Sequence, residues 1–232
     1  IVSSSVFEEQ IKYLKNNFNV ISINDIEKKL NLKKKVVVTF DDGYLDNFEN
    51  ALPILKKYDC PAIIYIVTSF LDNKNYPWWL KIWKIIEQNQ YLTYNKKRLE
   101  ISTKDLKLKA YYFFTKKIFL MKRSEQISFF SEICENPDIF KDIDNFLSVK
   151  DLIKLEKSEL IEIGCHTHYH QNLKILSEEE LNDEIEKSKF ILEKILKKEI
   201  NHFSVPFGTN KSFSKKSLDV LKKFIFKTLV TT

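Results

Sequence analysis

Cysteine, arginine and long apolar runs are scarce in this chain of 232 residues, and each shortage excludes a class of protein. Its three cysteines, Cys60, Cys134 and Cys165, are odd in number and widely spaced, which argues against a disulfide framework and a cysteine-based zinc site. No apolar run has the length of a transmembrane segment, and the first residues of this sequence do not have the pattern of a signal peptide.

The positive charge comes almost wholly from lysine, because Arg98 and Arg123 are the only arginines behind a formal charge of +6. The lysines are scattered, which indicates a compositional bias and solvated helix faces more than a nucleic-acid surface. An anionic glycan stays open as a partner. With 44% apolar and 13% aromatic residues, the chain has the composition of a globular protein that can bury a sizeable core.

Short apolar runs alternate with amphipathic helical patterns, which predicts a parallel sheet with right-handed crossovers. We expect the first run, Val36–Phe40, to be a strand buried on both faces. The other predicted elements are strands at Ala62–Val67, Leu160–Gly164, His202–Val205 and Phe224–Val230, and helices from about Leu45, at Ser177–Lys197 and at Ser214–Lys223.

The alternation is interrupted from about Asn73 to Ser158 by long helical patterns rich in lysine and aromatic residues. Within it, Tyr91–Tyr94 and Arg98–Ile101 predict a small hairpin. We interpret this stretch as a mostly helical insertion whose aromatic residues form a core, with one or two tryptophans free to line a sugar site.

Three of the four histidines, His166, His168 and His170, lie within five residues directly after a predicted strand. The imidazoles of His166 and His170 can converge on one cation, and a carboxylate would complete a three-ligand set. A surface histidine-rich tract is the alternative interpretation of this motif alone.

Chemistry-bearing motifs follow three predicted strands. Asp41, Asp42 and Gly43 end the first, the histidines end another, and Pro206-Phe207-Gly208 ends a third. The carboxyl ends of barrel strands open onto one face, so these motifs are expected to meet there. Two adjacent carboxylates can then take different roles, one binding a cation and the other acting as a base.

This combination resembles the polysaccharide deacetylases, the NodB-homology esterases similar to carbohydrate esterase family 4. The resemblance rests on Thr39-Phe40-Asp41-Asp42-Gly43-Tyr44, on His166-Thr167-x-x-His170 and on Pro206-Phe207-Gly208, and it extends over most of the chain outside residues 73–158. The third motif is similar to the F-A-x-P-Y-G variant found in bacterial exopolysaccharide and surface-polysaccharide pathways.

The resemblance implies a distorted (β/α)7 TIM-like barrel acting on an acetylated glycan, with a divalent metal, zinc foremost, held by Asp42, His166 and His170. It makes Asp41 the general base that deprotonates the metal's water, and the Phe207 backbone N–H the oxyanion donor. Thr167 is expected to fix the geometry of its loop. Residues implied to contact the substrate are Tyr44, Pro206 and Gly208.

The chain departs from the family pattern in two places. Ser204 stands where the family often carries an arginine that steadies the base. The histidine that protonates the leaving amine is also missing, and His168 and His202 are expected to be structural. We therefore expect residues 1–232 to be one deacetylase-like domain truncated at both ends, with its acid upstream of Ile1 and with weak activity.

Two other functions remain open at this stage. One is a non-catalytic carbohydrate-binding homologue, which would have little need of both Asp41 and the metal set. The other is a different amide hydrolase, such as a deformylase on a sugar or lipid-linked sugar. The sequence does not decide between the bacterial cytoplasm and the cell envelope.

Overall fold

The computed structural model describes residues 2–28, 33–134, 136–141, 143 and 145–232. None of the helices in these residues has both the length and the apolar character needed to span a bilayer. The α-helices of the described part are α1 (Ser4–Asn17), α2 (Leu52–Lys57), α3 (Trp78–Gln88), α4 (Lys104–Ile118), α5 (Arg123–Ile133), α6 (Val149–Glu156), α7 (Glu178–Leu196) and α8 (Lys215–Lys223).

A parallel sheet curls into a half-barrel with helices around it, which confirms the predicted α/β barrel class. Five strands pair in the order β3-β4-β7-β8-β9, and β1 pairs in parallel with β2. The strands described are β1 (Asn19–Val20), β2 (Lys35–Val36), β3 (Val38–Phe40), β4 (Ala62–Ile66), β5 (Tyr91–Tyr94), β6 (Lys97–Glu100), β7 (Ile161–Cys165), β8 (His202–Ser204) and β9 (Thr228–Val230).

The prediction of a first strand buried on both faces is wrong. All five residues of β4 are buried, but Val38 and Phe40 are half-buried and Thr39 is exposed. The reason is position, because β3 is the outermost strand of the five-stranded sheet whereas β4 lies between β3 and β7. Val37 separates β2 from β3, so one predicted strand becomes two short ones.

Serine caps fix where the two long C-terminal helices begin. Ser177 accepts a hydrogen bond from Glu180 N–H, and the Glu180 side chain accepts one from Ser177 N–H, which closes a capping box before α7. Ser214 caps α8 in the same way. The predicted last strand is too long at its start, because Phe224 is the C-cap of α8 and the strand begins at Thr228.

Between β4 and β7 the chain builds a second hydrophobic core from α3, α4, α5 and the β5–β6 hairpin, around buried Ile82, Ile86, Phe114 and Phe129. The hairpin is antiparallel, and its turn is Asn95-Lys96, both with positive φ, so the second strand starts one residue earlier than predicted. The main core lies between the sheet and α1, α2, α6, α7 and α8.

Candidate active site

Residues that follow the carboxyl ends of the parallel strands surround one cleft of about 400 Å³. The segments after β3, β7 and β8 each contribute, as the order of the motifs along the chain predicts. The first turn of α3 and the last residue of the chain complete the wall. The lining residues are Asp41, Asp42, Trp78, Trp79, His166, His170, Phe207 and Thr232.

A tight turn after β3 separates the two adjacent carboxylates. Gly43 N–H donates to the Asp41 carbonyl at 2.9 Å, and Asp42 and Gly43 have φ of 71° and 77°. Gly43 suits this turn because it adopts positive φ without strain, and a Cβ there would meet the Ile66 Cδ1 atom at 3.1 Å. As a result Asp42 lies inside the cleft with its side chain 17% exposed, while Asp41 is exposed.

The loop after β7 holds its two site histidines through hydrogen bonds. The Nδ1 atom of His166 lies 2.8 Å from the Ser204 carbonyl oxygen. Because a carbonyl only accepts, Nδ1 carries the proton and Nε2 is left as an unprotonated acceptor. Thr167 Oγ1 accepts from His170 N–H at 3.0 Å, which confirms that Thr167 fixes the loop geometry.

Three ligand atoms converge on one point. The Asp42 Oδ1 atom lies 3.6 Å from His166 Nε2 and 3.3 Å from His170 Nε2, and all three lie within 4.8 Å of one another. Tetrahedral ligands at about 2.0–2.1 Å from zinc are themselves roughly 3.3–3.4 Å apart. Asp42 Oδ1 is buried without a hydrogen-bond partner. A divalent cation would satisfy these facing acceptors, so the residues fit the predicted metal.

Burial controls the charge of two of these three side chains. Burial raises the pKa of Asp42 to about 6, the nearby His166 opposes this rise, and Asp41 adds to it by repulsion. Burial, together with His166, holds the pKa of His170 well below its usual value. The cleft therefore disfavours charge on both groups, and a bound cation would reverse this preference at Asp42.

Two groups next to this cluster are unpaired. The Asp41 carboxylate takes part in no ion pair or hydrogen bond with the described residues, and Ser204 offers no positive charge in place of the family's arginine. Phe207 has φ of 63°, and no hydrogen bond within the described chain uses its N–H. A carboxylate and a backbone N–H without partners among the described residues thus lie beside three side chains that could hold a metal ion.

Aromatic rings form one side of the cleft, where the sequence predicts only that one or two tryptophans are free to line a sugar site. Trp79 packs edge-on against His170, with ring centroids 4.9 Å apart, and donates from Nε1 to the Tyr44 hydroxyl at 3.2 Å. Phe207 also packs edge-on against His170 at 4.5 Å. The sequence shows two adjacent tryptophans, Trp78 and Trp79, at the start of a helical pattern. It does not show that their side chains point into the cleft, because this depends on how α3 packs against the barrel.

The other residues singled out from the sequence lie around the cleft. Tyr44, Pro206 and Gly208 are not among its lining residues, and Tyr44 reaches it through Trp79. His168 Nδ1 pairs with the Thr68 hydroxyl at 2.7 Å.

His202 bonds Thr228 and Asn24, at 2.8 and 2.9 Å. Neither His168 nor His202 belongs to the metal cluster.

Glu184 on α7 is a supporting residue that the sequence analysis missed. It is 5% exposed, and its Oε2 accepts from His168 N–H at 3.0 Å and from Tyr169 N–H at 2.8 Å. A carboxylate on the buried face of α7, between Leu181 and Ile185, is the signal that could have indicated it. It anchors the loop that carries His166 and His170.

Comparison with known proteins gives a family match over most of the chain. Residues 28–229 match the sequence profile of the family described as polysaccharide deacetylase. A stretch of 80 residues is 39% identical to a poly-beta-1,6-N-acetyl-D-glucosamine N-deacetylase of Staphylococcus aureus. That stretch covers 32% of this chain and only 28% of the relative.

Two solved structures share the fold. The Streptococcus pyogenes deacetylase PplD superposes with a TM-score of 0.63 at 19% identity, covering 100% of this chain and 74% of its own. IcaB from Ammonifex degensii gives a TM-score of 0.62 at 16% identity, covering 99% and 76%.

Proposed function

Because the chain belongs to the polysaccharide deacetylase family, we propose that it is a metal-dependent hydrolase that removes acetyl groups, N-acetyl foremost, from a sugar of a bacterial polysaccharide or its precursor. The observation that carries this proposal is the convergence of Asp42, His166 and His170 beside the unpaired Asp41. We also treat residues 1–232 as one such domain with an insertion at about 73–158.

Asp42, His166 and His170 would hold the divalent metal, zinc foremost. When bound, the metal supplies Lewis acidity, which polarises a carbonyl and lowers the pKa of water from about 15.7 to roughly 7. The Ser204 carbonyl keeps His166 in the tautomer that presents Nε2 to the metal. Burial lowers the pKa of His170 and so favours its neutral, ligating form.

Asp41 would act as the general base. Its carboxylate is exposed, lines the cleft and has no hydrogen-bond or ion-pair partner in the described part of the chain, so it can accept a proton from the attacking water. Phe207 would direct its unused backbone N–H at the oxygen that becomes negative when the acetyl carbonyl is attacked. The two groups would act on different atoms of the same reaction.

The substrate we propose is an acetylated glycan. The Staphylococcus aureus relative is named for a polymer of N-acetyl-D-glucosamine, which makes an N-acetylated amino sugar the first candidate. Trp78 and Trp79 offer apolar faces against which a sugar ring can pack next to the ligand cluster.

Metal content and acetate release test the proposal together. We expect parent protein loaded with zinc to release acetate from N-acetylated chito-oligomers at a low but measurable rate, in keeping with the weak activity expected from the sequence. In Asp41→Asn we expect retained metal and a turnover lower by about 10²- to 10⁴-fold, since the base is lost. In His170→Ala we expect loss of metal as well as turnover.

The outcomes separate the alternatives. Normal turnover by Asp41→Asn would disprove the role of the base. Binding of the oligomer without acetate release from the zinc-loaded parent would favour a non-catalytic homologue, and formate release from formylated sugars alone would favour a deformylase. Ser204→Ala is a matched control, because its backbone carbonyl, and thus the bond to His166, is kept.

A further inference from the structure

A second depression of about 740 Å³ adjoins the catalytic cleft, and Trp78 and Phe207 line both. Its far wall comes from the end of α4 and from the loops that precede α7 and α8. We call it the lysine groove, after Lys116, Lys174 and Lys211, which line it.

Aromatic rings connect the lysine groove to the proposed metal ligands without a break. The ring of Phe119, in the groove, lies 5.0 Å from that of Phe207, which in turn lies 4.5 Å from His170. Trp78 lies 6.2 Å from Phe207 on the other side. A chain of sugars with one residue at the metal site therefore has an apolar surface along which its next residues can extend.

Every charged side chain that lines the lysine groove is positive. No carboxylate is among the described residues that line it, and none of its three lysines forms an ion pair with a described residue. Lys174 is positioned by a hydrogen bond from Nζ to the Asn210 carbonyl at 3.1 Å. Other lysines do pair with carboxylates, such as Lys122 with Glu180 at 2.9 Å.

The charge of the deacetylated product indicates which kind of glycan the lysine groove can bind. Removing an N-acetyl group leaves an amine that is protonated at neutral pH, so a homopolymer of N-acetylated sugars becomes a polycation as it is deacetylated. Three unpaired lysines beside the cleft would repel such a strand. The same lysines would attract a strand that carries carboxylate or phosphate groups on its other residues.

From this we propose that the lysine groove binds the residues of an anionic acetylated glycan that neighbour the acetylated sugar, and that Lys116, Lys174 and Lys211 determine this preference. The inference rests on the proposed deacetylase function. It extends that function to a substrate class, a glycan whose anionic groups are carboxylates or phosphates.

Binding and turnover are measured separately on matched probes at low salt. The probes are a hyaluronan hexasaccharide, the same oligomer with its carboxylates reduced to alcohols, and N,N′-diacetylchitobiose with and without a 6-phosphate. We expect tighter binding of at least one anionic probe than of its neutral partner, and loss of this preference as salt rises. The carboxylate and phosphate pairs identify which anion is preferred.

Replacing the three lysines tests their role. We expect K116Q/K174Q/K211Q to lower the anionic-to-neutral ratio of binding constants roughly tenfold, since each exposed ionic contact gives about 1.5- to 5-fold. The matched control is K56Q/K157Q/K197Q, which removes the same charge. These exposed lysines lie at the ends of α2, α6 and α7, which lead into the amino ends of the strands, away from the cleft at their carboxyl ends. We expect this control to keep the ratio.

Each result has one meaning. Equal binding of charged and neutral probes by the parent, or an equal loss in both triple variants, would overturn the inference even if acetate is released. A lysine-dependent preference without acetate release from any probe would support the lysine groove and contradict the deacetylase function.

Discussion

Glu184 is expected to hold the metal-ligand loop in place, and its removal gives the sharpest test of how this site is supported. Its buried carboxylate accepts the N–H groups of His168 and Tyr169. In Glu184→Ala both donors stay buried without a partner, at about 1–3 kcal/mol each. We therefore expect the free energy of unfolding at pH 7 to fall by about 3 kcal/mol, which moves a urea midpoint by about 1–2 M.

Glu184→Gln separates hydrogen bonding from charge. Its amide oxygen can still accept, so we expect about half of the loss or less. Metal affinity, measured by competition with a chelator, is expected to fall about 10- to 100-fold in Glu184→Ala, as for other residues that position metal ligands, and less in Glu184→Gln. An unchanged urea midpoint and metal affinity in Glu184→Ala would refute the anchoring role.

The pH dependence of stability gives an independent measurement on the same side chain. Burial raises the pKa of Glu184 to about 7 from 4.5, and the bonds from Tyr169 and His168 only partly oppose this. A raised folded-state pKa favours the protonated form, so the stabilisation that protonation adds, apart from the two hydrogen bonds, is complete below about pH 4.5 and is lost as pH rises towards 7. The difference is about 3 kcal/mol, and it should be absent in Glu184→Gln.

The remaining predictions concern the metal and one backbone position. Zinc at 100 times its dissociation constant should raise the free energy of unfolding of the apo protein by about 2.7 kcal/mol, and His170→Ala should abolish this shift in thermal unfolding. Gly208 has φ of 60°, and a Cβ there would lie 2.5 Å from the Thr232 N atom. Gly208→Ala should therefore cost about 1–3 kcal/mol in urea unfolding, whereas the exposed Thr209→Ala should not, and equal midpoints would contradict this reasoning.

The sequence predicts the parts of this protein that depend on local pattern. The run at Ala62–Val67 predicts β4, and Ser177 predicts the start of α7 because a cap is a local feature. Asp42, His166 and His170 can be predicted to meet because they follow strands of a parallel sheet, whose carboxyl ends share one edge.

Other parts depend on contacts between distant segments. The partner of His166 is the backbone carbonyl of Ser204, and every residue type has such a carbonyl. Burial of β3 depends on its place at the outside of the sheet, and local apolar pattern does not report strand order. The helical pattern of α7 can indicate that Glu184 is buried, but its partners, the N–H groups of His168 and Tyr169, are known only once α7 packs against the histidine loop.

The two tryptophans of the cleft have a consequence for how this enzyme family can diversify. Trp78 and Trp79 belong to the first turn of α3, and the rest of that helix packs into the second core, whereas Asp42 and His170 belong to the barrel. The groups proposed to perform hydrolysis are thus carried by the barrel, whereas those proposed to select the sugar begin a helix of the second core, from which Trp79 reaches Phe70 and His170. Exchanging only the part from α3 to α5 would change which glycan is chosen, while α6 and the backbone contacts from Leu147 to Gly43 and from Thr68 to Thr167 would still support the hydrolytic groups.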